Sequence, residues 1–158
     1  MRGEREQAAA LLAPALGLAR ASALAPHLIV RAFAGIVRAA PDLPSRIAAV
    51  GEAEANLSEW DVCEPCSMGF LVTAAETRAR EGDLARARDQ LEQAGRISAM
   101  WQGGTWPAAV REARAALCRA EGDSDRADAL VREAADLFER AGRPLDAARC
   151  RTRLLAHA

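Results

Sequence analysis

The stretch AREGDLARARDQLEQA at residues 79–94 and its echo RAEGDSDRADALVREA at 119–134 decide how this chain folds. In each, a Gly-Asp pair interrupts a helical pattern. Glycine takes the left-handed conformation that closes one helix, and aspartate caps the next. The two breaks, Gly82-Asp83 and Gly122-Asp123, stand 40 residues apart. Ala87, Leu91 and Ala94 share a helical face after the first; Ala127, Val131, Ala134 and Phe138 share one after the second. Small residues keep the same beat: Gly35, Ala75 and Ala115 are separated by 40 and 40, and Ala8, Ala48, Ala87 and Ala127 by 40, 39 and 40. A recurrent unit of this length predicts an all-α fold, an α-solenoid of antiparallel helical hairpins stacked in chain order. Alanine or glycine lets helix axes approach, and Leu, Val or Phe one turn later fills the space between hairpins.

Working outward, the pattern predicts about eight helices in a single repeat domain over residues 1–158, grouped as hairpins at 5–40, 45–81, 84–120 and 124–155. Pro14 should delay or kink the first helix. Ser22 and Pro26 mark the next junction, before the broad apolar run LIVRAFAGIVRAA. Pro41 and Pro44 bracket a turn, with Ser45 a candidate cap for a helix from Arg46 to about Asn56. The passage NLSEWDVCEP is the least regular, and a helix is predicted from Cys66 to Glu81. The helix after Asp83 should stop near Gly95; Gly103-Gly104 forms a turn, and Thr105 with Pro107 opens the next helix. Gly142 and Pro144 separate the last two.

Composition narrows the function. The hydrophobic fraction is 51%, much of it alanine, while aromatic residues make up 4% with no Tyr, and alternating β-branched runs are absent. Sheet is therefore not expected. Charge is balanced at 21 basic and 22 acidic residues, which disfavours a direct nucleic-acid surface. No apolar stretch is long enough for a membrane span, and MRGEREQ does not open a secretory signal, so a cytoplasmic location is expected. Four cysteines in such a chain do not suggest a disulfide framework.

Cys63-x2-Cys66 is the sharpest chemical signal. At a helix start, backbone amides and the helix dipole should lower the Cys66 pKa. The pair suits packed structural thiols, a reversible disulfide, or half of a zinc site. Cys118 lies near the far end of its helix, roughly 15–20 Å along the axis from Cys63 and Cys66, which argues against a site uniting these with Cys118 and Cys150. His27 and His157 have no carboxylate and nucleophile at catalytic spacing and read as neutral surface or packing residues. With no catalytic triad or phosphate loop, enzymatic function is not expected. Trp60, Trp101 and Trp106 either plug hairpin junctions or line a ligand or peptide groove. The Glu/Arg runs from Glu76 to Arg88 and from Arg111 to Arg126 read as solvated faces laced with ion pairs.

The Gly-Asp turns followed by A-x3-L-x2-A resemble tetratricopeptide repeats. Gly35, Ala75 and Ala115 match the small position of the first repeat helix, and Ala87-Leu91-Ala94 and Ala127-Val131-Ala134 match the second. The whole chain resembles the repeat region of large bacterial transcriptional activators of the LuxR/MalT type. WDVCEPCSMGF (60–70), AREGDLARARDQLEQA, MWQGGTW (100–106) and LFERAGRPLDAARC (137–150) carry that resemblance. It implies a sensor or protein-docking portion of a regulator, whose partner is a protein or peptide segment or a neighbouring domain, with a homodimer also open. The alternatives are a redox or zinc switch at Cys63 and Cys66, with zinc the one cofactor considered, and a small-molecule sensor at the tryptophans.

Overall fold

The computed structural model describes residues 2–100 and 104–155. All regular structure among these residues is helical: α1 (Arg2–Arg20), α2 (Ala25–Ala39), α3 (Leu43–Leu57), α4 (Glu64–Glu81), α5 (Leu84–Met100), α6 (Trp106–Ala120), α7 (Ser124–Arg140) and α8 (Pro144–Leu155). The helices form two rows. α2, α4 and α6 lie side by side, while α3 packs on α2 and α4, α5 on α4 and α6, and α7 on α6 and α8. α1 covers the open side of α2. The Gly82 turn therefore lies inside the close pair α4–α5, and the Gly122 turn inside α6–α7.

Three turns share one chemistry. Gly82, Gly122 and Gly142 have φ of 96°, 87° and 68°, a region that side chains with a Cβ avoid. At each, the residue after glycine returns its N–H to a carbonyl five residues back: Asp83 to Arg78, Asp123 to Cys118, Arg143 to Phe138. Asp83 and Asp123 then cap the following helices by accepting from the Arg86 and Arg126 amides.

Several local expectations need correction. α1 does not start late at Pro14; it runs from Arg2 to Arg20 with the exposed proline inside, where the missing N–H costs one hydrogen bond while neighbouring turns carry on. Asp42, not Ser45, caps α3; its carboxylate accepts from the Ser45 amide at 2.8 Å, and the Ser45 hydroxyl, followed by that amide, holds the Asp42 pKa below its usual value. α4 begins at Glu64, with Pro65 in its first turn. α5 does not stop at Gly95. It runs on to Met100, and a Cβ at Gly95 would stand 2.9 Å from Arg114 Nη2, the movable end of a long side chain of α6.

The core falls into three clusters. Leu16, Ile29, Val30, Phe33, Val37, Val50 and Phe70 build the first, between α1 and α4. Ala75, Ala87, Leu91 and Ala94 lie in the second, with Met68 and Ile97. Ala115, Ala127, Val131, Ala134 and Phe138 lie in the third, with Cys150. Gly35 meets Leu12 of α1 so closely that a Cβ would lie 2.8 Å from Leu12 Cδ2. The alanine ladder is not uniform, however. Ala87 and Ala127 are fully buried, Ala8 is half-buried, and Ala48 is exposed on the outer side of α3.

Candidate functional site

The first site grows from two helix starts. α2 opens Ala25-Pro26-His27 and α4 opens Glu64-Pro65-Cys66, with proline in each first turn, where its missing N–H leaves no helical bond unmade. Because α2 and α4 are neighbours in one row, His27 and Cys66 meet across 39 residues, with Nδ1 to Sγ at 3.3 Å. Cys63 caps α4 through its carbonyl, which accepts from the Cys66 and Ser67 amides at 3.0 and 3.2 Å. The donor atoms of His27, Cys63 and Cys66 lie within 4.8 Å of one another, and all three residues are half-buried. Both thiols are free.

Cys66 does not acquire the lowered pKa expected at a helix start. Burial pushes its thiol up, and Cys63 adds to the rise by hydrogen bonding and charge, outweighing the pull of Arg31. It is therefore a weakly acidic thiol rather than an activated nucleophile. Cys118 and Cys150 stand apart in the third core cluster. Burial raises the Cys118 thiol, aided by Glu121 and Asp123; burial and Glu112 push Cys150 up to about 11.

His27 is the residue whose role sequence reasoning missed. A usable signal was present: Pro26-His27 and Pro65-Cys66 stand one repeat apart, so residues at matching positions of adjacent helices would face each other.

The second site is a cavity of about 400 Å³ lined by Arg80, Glu112, Ala115, Ala116, Arg119, Ala120, Val131 and Arg153. Alanines on α6 make it possible, since longer side chains would fill the space between α4 and α8. Glu112 is the acidic member of this lining and is buried to 8% side-chain exposure. Arg153 Nη1 meets it at 2.8 Å and Arg149 pairs with it as well. Arg153 Nη2 also reaches Glu76 on α4 at 3.2 Å, and Arg80 pairs with the same carboxylate oxygen at 2.7 Å. Arg119 is held by Asp128 at 2.6 Å. Burial opposes the charge on Arg149, but Glu112 and Asp146 outweigh it and raise its pKa. Burial likewise opposes ionisation of Asp146, yet Arg149 and Arg143 hold that carboxyl below its usual range.

The tryptophans divide. Trp106 opens α6 and packs half-buried against the second core cluster, whereas Trp60 is 40% exposed in the connection between α3 and α4. Trp101 lies outside the described residues. No helix among the described residues is long and apolar enough to cross a membrane. Comparison of the chain with known protein families, with curated proteins and with solved structures finds no match.

Proposed function

We propose that this chain is a protein-interaction module, a tetratricopeptide-like α-solenoid whose α4–α6–α8 face receives an acidic, extended segment of a partner protein. The cavity carries this reading: its lining holds three arginines and one acidic residue, Glu112, and with Arg153 and Arg149 committed to Glu112, Arg80 and Arg119 are the cations left to meet a ligand. A guanidinium has five donors, so Arg80 and Arg119 can keep Glu76 and Asp128 and still engage an incoming carboxylate. The resemblance to LuxR/MalT-type regulators extends the reading: the segment belongs to another domain of a regulator, and binding sets that domain's state.

The test is fluorescence anisotropy of the full chain with labelled octapeptides of acidic, neutral and basic composition. Acidic peptides should bind best, and their affinity should fall with rising salt. Combined Arg80→Ala and Arg119→Ala substitution should weaken them about 10-fold, or ~1.4 kcal/mol. Equal binding of neutral peptides, or an unchanged affinity in the double variant, would refute the assignment.

A further inference from the structure

We propose that His27, Cys63 and Cys66 form a three-ligand site for a thiophilic divalent cation, zinc above all, with a fourth position open to water. The donor set is the first argument. Two sulfurs and an imidazole nitrogen suit zinc, whereas calcium and magnesium require oxygen ligands. Geometry is the second. With Zn–S near 2.3 Å and Zn–N near 2.0–2.1 Å, a tetrahedral ion holds two sulfurs about 3.8 Å apart and sulfur and nitrogen about 3.5 Å apart. The three donors already lie within 4.8 Å of one another, with His27 Nδ1 and Cys66 Sγ at 3.3 Å, close to the spacing an ion needs. With its proton on Nε2, His27 directs the Nδ1 lone pair at the site.

The backbone restricts the ligands before any metal arrives. His27 and Cys66 sit in first helical turns behind Pro26 and Pro65, and Cys63 is anchored by two hydrogen bonds that the Cys66 and Ser67 amides donate to its carbonyl. Charge balances as well. Binding displaces the two thiol protons to solvent, and two thiolates with a neutral imidazole cancel the charge of a divalent ion. Half-burial leaves room for a water at the fourth position. Because His27 comes from α2 and both cysteines from the start of α4, the ion would staple neighbouring helices on the N-terminal side of the stack.

A disulfide is the competing use of Cys63 and Cys66, and it makes no use of His27. The experiment separates the two. Full-length protein, reduced and freed of metal, is titrated with cobalt chloride and then with zinc chloride. One cobalt per chain should bind with the visible absorption of tetrahedral thiolate ligation, and zinc should displace it. Zinc in hundredfold excess over its Kd should raise the thermal midpoint by roughly 5–10 °C. His27→Ala, Cys63→Ser and Cys66→Ser should each weaken binding at least 100-fold with helical circular dichroism retained, while Cys118→Ser should leave it unchanged. No stoichiometric binding by the reduced wild-type chain would overturn the proposal, whatever the variants do. So would unchanged affinity in His27→Ala, or a Cys63–Cys66 disulfide forming in a chain that takes up no metal when reduced.

Discussion

The helices before the thiol–imidazole cluster and those after it solve one packing problem with different side chains. Between α1 and α3 the core is bulky, with Ile29, Val30, Phe33, Val37 and Val50, and both junctions carry proline, at Pro26 and at Pro41 and Pro44. The second cluster still mixes Met68, Leu71, Leu91 and Ile97 with alanines, but in the third Ala108, Ala115, Ala127, Ala134, Ala135 and Ala147 outnumber the larger side chains, and from α4 onward three junctions turn on left-handed glycine. A bulky core gains its stability from area buried per residue, whereas an alanine core depends on close approach of helix axes. Less apolar area per contact leaves more for polar groups to do. Buried Glu112, paired with Arg149 and Arg153, lies on that alanine-rich side, while buried Arg78 ties α4 back to Glu54 of α3 and to Glu81. Large buried side chains of the first cluster should thus suffer most from truncation, and buried alanines at helix contacts from enlargement.

Truncation gives the largest expected effect. Phe33 is fully buried, and Phe33→Ala should cost about 3–5 kcal/mol in urea unfolding. A loss below about 1 kcal/mol would erase the contrast at its N-terminal end. Enlargement comes next. Ala87→Phe should overpack α5 against its neighbours and cost about 1–3 kcal/mol. Ala48→Phe, one repeat earlier but exposed, should change stability by no more than about 0.5 kcal/mol. Similar costs at the two positions would mean the ladder is equally packed throughout.

A smaller effect follows pH. The folded chain keeps the Cys150 proton up to about 11, while the unfolded thiol releases it near its ordinary 9. Unfolding therefore gains from deprotonation in that window. The Cys150 contribution is complete below the lower value and declines as pH rises toward the upper one. Unfolding midpoints measured across the window should slope downward, and Cys150→Ala should reduce the slope. An unreduced slope would move the effect to Cys118 or Cys66, whose thiols burial also raises.

Where a signal was local, the sequence was readable. Gly82-Asp83 and Gly122-Asp123 announce a helix end and the next helix start with a few residues, and both appear as expected. Buried Ala75, Ala87, Ala115 and Ala127 follow from the same period. What escaped depends on neighbours distant in the chain. Gly95 looks like a helix end, yet α5 continues through it to Met100 where it packs beside α6. Ala48 obeys the period yet faces outward, because no further helix covers that side of α3. Ser45 and Asp42 both suit a cap, and backbone entry angle chose between them. The thiol pair was visible as Cys-x2-Cys; for its imidazole the matching Pro-His and Pro-Cys helix starts were a faint signal, and only the lateral contact of α2 with α4 joins residues 39 apart.

The reach of Arg153 has a consequence for how the molecule melts. Arrays whose units touch only adjacent units can lose structure piecemeal from either end. Arg153 bonds Glu112 on α6 and, 77 residues away in sequence, Glu76 on α4. Releasing α8 strips a partner from two earlier helices in one event, so the C-terminal end should come apart in concert rather than fray turn by turn.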